Sequence, residues 1–427
     1  MQIEIVSTGE ELRQGQIVDT NAAYISSVLE NLGLRVSRIT CVGDVLEDQI
    51  QLYKEISTRS DIAIVTGGLG PTSDDLTAEA ISQTAGVQRM LHPEAMDSMT
   101  AWFTKRNRKQ TESDIQQAML PNGAHCLKNI QGTAPGFAIQ IDRCMFFCMP
   151  GVPQEMEHMM HQEVLPRLPV QASQFQQQKC IFSLFGLPEA VVGEKLKEIN
   201  HVFPDIYLGF RAVFPIIEVK LQLRGHDLDN LKSTMERAKE WVLSRIGEWV
   251  FSNSGASMHE EVARLLFENE KTIAIAESCT GGLISHLLTQ IPGSSAYFLL
   301  SAVTYSNESK VRILGVEEDT LNQYGAVHEK TVKQMAKGIQ RLSQATYGLA
   351  TSGIAGPDGG TTEKPVGTIC IGIASPSGLQ SFRYHLPFTN RQMNKKIFAI
   401  AALDVLRRTL LREGSERKKT EELKKPK

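Results

Sequence analysis

Within the first 90 residues, short β-branched runs alternate with helical stretches, and one run ends in Thr66-Gly67-Gly68-Leu69-Gly70-Pro71. This alternation restricts the chain most, because strands joined through helices lie parallel and need a covering layer on each face. Gln2–Ser7, Leu34–Val42 and Asp61–Thr66 read as strands. Asn21–Leu32 reads as a helix capped by Asp19 or Thr20 and stopped by Gly33, and another helix is expected from about Thr72 to Thr84. The predicted unit is a three-layer α/β domain with a mostly parallel sheet. It ends near Met149-Pro150-Gly151-Val152-Pro153 and the helix that follows.

The texture then changes. Residues 180–185, 206–210 and 216–223 look like strands, the last alternating Ile217, Val219, Leu221 and Leu223 with Glu218, Lys220 and Gln222. With the amphipathic run Leu231–Ile246 they predict a small α+β unit with a half-exposed antiparallel sheet. From Ser257 an α/β texture returns, with strands at 272–276, 347–354 and 368–374 and a long closing helix from Arg391 to Leu411. At ~150 residues per domain, 427 residues suit this three-part reading. Its parts are 1–168, 169–252 and 253–413, with 414–427 expected to be a disordered, charge-rich tail.

Charge narrows the function. Lys plus Arg number 45 and Asp plus Glu 48, a net charge of −3. No global pull toward nucleic acid or an anionic membrane is expected, and no apolar run approaches the ~20 residues of a membrane span. The seven cysteines are scattered and imply no disulfide framework. With the β-like opening Met1-Gln2-Ile3-Glu4-Ile5 they point to a reduced, cytoplasmic setting. Neither G-x-G-x-x-G nor G-x-x-x-x-G-K-[ST] occurs in a strand–helix context, which argues against dehydrogenase and kinase readings.

Several loops carry residues suited to chemistry. Gly67 and Gly68 expose backbone N–H groups before a helix, and Asp74 and Asp75 are placed to hold a divalent cation beside a phosphate. The same Thr72-x-x-Asp75 spacing also reads as a capping box. Thr8-Gly9-Glu10-Glu11 and Asp19-Thr20-Asn21 sit at or near the sheet's carboxyl edge, as ligand groups or as turn and N-cap. Glu155, His158 and His161 share one helix and are a weak metal set, with no third strong ligand in view. In the last domain, Ser278 follows a strand and precedes Thr280-Gly281-Gly282, a setting for a nucleophile beside backbone donors. Lys310 is either its base, if buried and neutral, or a solvated helix residue. Tyr305 is placed to hold that pair. Ser352–Gly367 packs five glycines and two prolines between two strands, as a ligand loop or a connection. Arg391 begins the closing helix, where a phosphate would suit it.

These motifs together resemble the CinA family. Ala276–Gly282, Tyr305-Ser306-Asn307-x-x-Lys310 and Ser352–Gly367 are similar to its nicotinamide-nucleotide amidase domain. Ser7–Glu11, Gly15–Asn21, Thr66–Asp75 and Pro150–Pro153 are similar to its molybdopterin-binding-like domain. The resemblance implies hydrolysis of nicotinamide mononucleotide (NMN) to nicotinate mononucleotide and ammonia, which recycles the pyridine ring for NAD synthesis, without a metal or other cofactor. It implies Ser278 as nucleophile, Lys310 as base and Tyr305 assisting. Thr280, Gly281, Ser352, Gly353, Gly356, Gly359 and Gly360 would line the nucleotide site, and Arg391 would meet the phosphate. For the first domain it implies a Mg²⁺-, Mn²⁺- or Co²⁺-dependent ADP-ribose pyrophosphatase, with Asp75 the leading residue, Asp74, Asp44 and Asp19 behind it, and Gly67 and Gly68 at the loop. The alternative is a non-enzymatic competence or damage-inducible accessory, or a molybdopterin-binding protein. A homodimer is expected, with the strand Ile216–Leu223 as a candidate interface.

Overall fold

A computed structural model describes residues 1–168, 176–388 and 390–423, and its contacts divide the chain into two units, Met1–Gln176 and Gln177–Lys427. The expected boundary after residue 168 borders residues 169–175, which lie outside the described residues.

In the first unit, β1 (Ile3–Thr8), β2 (Val36–Val42), β3 (Ile62–Thr66), β6 (His125–Leu127), β7 (Gly136–Ile141) and β8 (Cys144–Met149) form one sheet. Its order is β2-β1-β3-β8-β7-β6, parallel through β8 and antiparallel beyond it. β4 (Arg89–Leu91) and β5 (Met119–Pro121) make a separate antiparallel ribbon. Every residue of β1 and β3 is buried. Val6, Ala63 and Val65 pack on one face with Tyr53, Ile56 and Ile81, whereas Ile3, Ile5, Ile62 and Ile64 pack on the other with Ile25, Leu29 and Met156. This is the three-layer α/β fold expected from the sequence. One boundary differs. The helix after the glycine loop is Thr77–Ala85, later than the Thr72 start the sequence suggests. Asp75 Oδ2 accepts from Thr72 N (2.9 Å) and Thr72 Oγ1 (2.5 Å), so this pair closes a turn ahead of the helix instead of capping it.

In the second unit, β9 (Gln176–Phe185), β10 (Tyr207–Val213), β11 (Ile216–Gly225) and β12 (Val250–Ser252) form a sheet in the order β10-β11-β9-β12. Helix Leu228–Ile246 covers it with Leu231, Met235, Ala238, Val242 and Ile246. β11 holds the strictly alternating stretch, and it is an interior strand. Its neighbour β10 forms the outer edge, so Ile216–Leu223 is not an exposed interface strand.

The remaining sheet contains β13 (Ile273–Glu277), β14 (Phe298–Val303), β15 (Tyr347–Gly353), β16 (Thr368–Ser375) and β17 (Gly378–His385), in the order β14-β13-β15-β16-β17. β13 is parallel to both neighbours, and β15, β16 and β17 form an antiparallel meander. Helices Met258–Glu268 and Arg391–Leu423 pack with one face, and Glu329–Ser343 packs with the other. The closing helix outruns Leu411 and continues to Leu423, into the stretch the sequence reads as a disordered tail. Glu413 anchors it: its carboxylate accepts from Tyr347 Oη (2.6 Å) and Ser375 Oγ (2.7 Å). Residues 424–427 lie outside the described residues. Among the described residues, no helix is long and apolar enough to cross a membrane.

Candidate active site

β13 ends in Glu277, and the chain turns sharply through Ser278–Gly282 into helix Leu283–Thr289. Glu277 is fully buried, an arrangement that demands compensation for its charge. Its carboxylate accepts from the N–H groups of Gly282 (2.9 Å), Ile284 (3.2 Å) and Ser285 (2.9 Å), and from Ser285 Oγ (2.5 Å). The turn that carries Ser278 is therefore fastened from beneath. Glu277→Ala strands three backbone donors, one buried and two part-buried, and is expected to cost about 3 kcal/mol of stability, read by denaturant unfolding.

Ser278 is held by its own N–H, which donates to Thr351 O (3.1 Å). Beside it lies Lys310, on helix Asn307–Leu314 and only 1 % exposed. The solvated-helix alternative for Lys310 is thereby excluded. Its Nζ donates to Thr304 O (2.8 Å) and Tyr305 O (3.0 Å) and meets Ser278 Oγ at 3.2 Å. Burial disfavours the ammonium and pushes the Lys310 pKa down. Two carbonyls engage two of its protons. When the third is lost, the lone pair points at Ser278 Oγ, as a base toward that hydroxyl must.

Other expected residues take different places. Thr280 is fully buried and its hydroxyl pairs with Thr351 Oγ1 (2.9 Å), so its side chain ties the turn to β15 and only its backbone is left to face a substrate. Tyr305 contributes its carbonyl to Lys310, but the residue is 60 % exposed and its phenol is engaged elsewhere: Arg391 Nη2 donates to Tyr305 Oη at 2.9 Å. The expected part of that hydroxyl in the Ser278–Lys310 pair is not in place here. Arg391 also donates to Gly356 O (2.6 Å), which brings the loop and the closing helix together. Ser352 is buried at the end of β15, and Gly353 backs onto Cys279 and Ile369. Gly359 and Gly360 lie on the exposed part of the loop, with Gly360 against Val366. His328 caps helix Glu329–Ser343 through Nδ1, and His286 lies within helix Leu283–Thr289. Neither is placed as a partner of Ser278.

The sequence reading missed Lys395. A Cβ built on Gly281 would lie 3.4 Å from its Nζ, and Gly281 has φ +59°. The available signal was spacing: Lys395 stands four residues after Arg391, on the same side of the helix.

The first unit's candidates gather at the carboxyl ends of β1, β2 and β3. Gly67 (φ +106°) and Gly68 (φ +65°) are required there, because a Cβ would fall 2.5 Å from Thr8 O and 2.3 Å from Thr77 Oγ1. Asp19 accepts from Ala22 N (2.9 Å) and is the N-cap of helix Thr20–Asn31. Asp44 accepts from Glu10 N (2.9 Å). Burial raises the Asp44 pKa, and Glu11, Asp74 and Glu10 add to the rise. Asp75 is committed to Thr72. Among the described residues, no three His, Cys, Asp or Glu side chains are grouped to hold a metal ion. The Glu155, His158 and His161 set is likewise not assembled: Glu155 accepts from Asn129 Nδ2 (2.7 Å), whereas His161 Nε2 meets Tyr24 Oη (3.0 Å).

Two family models match the chain. One described as the CinA C-terminal domain spans residues 255–410, and one described as a probable molybdopterin binding domain spans residues 4–170. A CinA-like protein of Desulfosudis oleivorans is 48% identical over 410 residues, covering 96% of this chain and 99% of the relative. A protein of Shewanella oneidensis named nicotinamide-nucleotide amidohydrolase PncC is 40% identical over 419 residues, covering 97% of each. The crystal structure of the competence/damage inducible protein CihA from Agrobacterium tumefaciens is 37% identical, covering 35% of this chain and 94% of that one, with a TM-score of 0.34.

Proposed function

Since the chain belongs to the CinA family, we propose that its second unit is a nicotinamide-nucleotide amidase, hydrolysing NMN to nicotinate mononucleotide and ammonia and so returning the pyridine ring to NAD synthesis. The observation that carries this reading is the buried Lys310 Nζ, fixed by two carbonyls and 3.2 Å from Ser278 Oγ. Lys310 takes the Ser278 proton, and Oγ attacks the carboxamide carbon. The N–H groups of Ser278, Gly281 and Gly282 are committed to Thr351 O, Ser278 O and Glu277. In this reading the backbone N–H groups at Cys279 and Thr280 receive the oxyanion. Lys310 then gives its proton to the departing nitrogen, and ammonia leaves an acyl-enzyme. Water, deprotonated by the same lysine, opens it. Nucleophile, base and oxyanion donors are all chain groups, so product is expected from NMN with EDTA present; an EDTA-sensitive reaction would sink this mechanism.

For the first unit, the family resemblance supports a divalent-cation-dependent ADP-ribose pyrophosphatase. The observation in its favour is the crowding of Asp44 by Glu11, Asp74 and Glu10, a carboxylate field that a cation relieves. These groups do not converge on one metal position, and no reaction step is assigned to them. AMP release from ADP-ribose with Mg²⁺, Mn²⁺ or Co²⁺, lost in Asp44→Asn, is the expected result. No AMP with any of the three ions reduces this unit to a binding or accessory role.

A further inference from the structure

Within the second unit, the β10–β11 hairpin, β17 and the closing helix enclose a cavity of about 920 Å³. That size falls within the ~300–1,000 Å³ of small-molecule sites. Ser278, Lys310 and Arg391 do not line it, so it is separate from the candidate active site. Phe185, Phe214, Ile216, Phe382, Leu386 and Phe388 form its walls, and all six are only partly buried. Phe214 and Phe388 meet edge to face with ring centroids 4.7 Å apart, which joins the hairpin to the chain ahead of the closing helix in one wall. Water in such a space hydrates apolar surface, a cost that an apolar occupant removes. A sugar or nucleotide would instead strand its hydroxyls and ring nitrogens against these walls.

One side of the cavity is charged. Asp404, Arg408 and Arg412 stand four residues apart along the closing helix, and all three line it. Asp404 is buried, and its single carboxylate is divided between two guanidiniums. Oδ1 accepts from Arg407 Nε (3.0 Å) and Nη2 (2.8 Å), and Oδ2 from Arg408 Nε (2.7 Å). One positive charge is left over in that group. Arg412 adds another, and its recorded partner is neutral, Gln380 Oε1 at 3.4 Å. Glu248 also lines the cavity, but among the described residues it forms no ion pair with either arginine. An apolar chamber with uncompensated arginines along one side is complementary to an amphipathic anion. We propose that this cavity binds a long-chain carboxylate, with its acyl chain among the aromatic walls and its carboxylate on Arg408 and Arg412.

The test uses the full chain, stripped of bound lipid on a hydrophobic resin and titrated by calorimetry with hexadecanoate below its micellar concentration. One saturable site per chain is expected. Octanoate should bind about 100-fold more weakly or worse, because each methylene withdrawn from water adds to affinity. Hexadecanol, with the same chain and no charge, should bind about 10-fold more weakly than the acid. Arg408→Met and Arg412→Met should each weaken hexadecanoate and leave hexadecanol unchanged. Ala212→Phe, at an exposed position on the cavity's rim, should weaken both ligands by about 10-fold or more. Trp249 lines the cavity, so hexadecanoate should change tryptophan emission in the parent, and that change should be lost in Trp249→Phe. The absence of saturable binding overturns the proposal. Hexadecanol that binds as tightly as hexadecanoate overturns the arginine seat, and binding unaltered by Ala212→Phe overturns the site. A chain that sediments as a dimer, takes up no hexadecanoate and becomes monomeric in Ala212→Phe assigns the cavity to a second copy, and overturns the proposal as well.

Discussion

Ser278→Ala is expected to lower ammonia release from NMN by about 10,000-fold or more, with the fold intact. Removing the nucleophile of a serine-dependent hydrolase leaves only what binding and oxyanion donors supply. The prediction is sharp because the hydroxyl is not part of the turn's framework. The turn is held by Ser278 N–H on Thr351 O, by Gly281 N–H on Ser278 O and by Glu277 beneath, all of which alanine preserves. Stability should therefore change by no more than the loss of one hydrogen bond, about 1 kcal/mol, while product falls to background. Full activity in Ser278→Ala would remove the nucleophile assignment and with it the acyl-enzyme.

Lys310→Met is expected to lower kcat by about 1,000-fold, the scale of general acid–base assistance. Lys310→Arg should be no better, because a guanidinium stays protonated and cannot take the Ser278 proton. The pH dependence carries a definite sign. Burial holds the Lys310 pKa below its usual value of 10.5, so kcat/KM in the parent should rise with pH through that lowered value and then level off. The same shift enters folding. The folded state holds this proton less tightly than the unfolded chain, which therefore binds more protons in the pH window between the lowered value and 10.5. Stability of the parent gains from rising pH through this group, and that part of the slope should disappear in Lys310→Met. A kcat/KM profile that falls with pH across the same range would mean that Lys310 acts as a fixed cation and not as a base.

Much of this protein was readable from its residues. The β-branched runs around Ile5 and Ile64 and the glycines after Thr66 fix a covered parallel sheet, because the same residues must be apolar on both faces and the turn must pass close to Thr8. The family motifs brought Ser278 and Lys310 to attention. Spacing alone, however, left Lys310 as a solvated helix residue, since a helix exposes most of its lysines. The site of that one ammonium combines the nearby Thr304 and Tyr305 carbonyls with Ser278, 32 residues away, a meeting that no local pattern encodes. Thr280 shows the reverse. It stands in the motif, yet packing against Thr351 turns its hydroxyl inward.

The sequence by itself determined the elements and the turn chemistry: which runs are strands, where glycine is obligatory, and which side chains have the reactivity for amide hydrolysis. The tertiary structure decided burial and direction. It took Lys310 out of water, as the proposed base requires, placed Tyr305 on Arg391 instead of on Lys310, and set Lys395 against Gly281. It also extended the closing helix past Leu411, through Glu413 bonded to two strands. Local propensity acts over a few residues, whereas desolvation and hydrogen-bond direction depend on groups far apart in the chain. Only the folded chain supplies those.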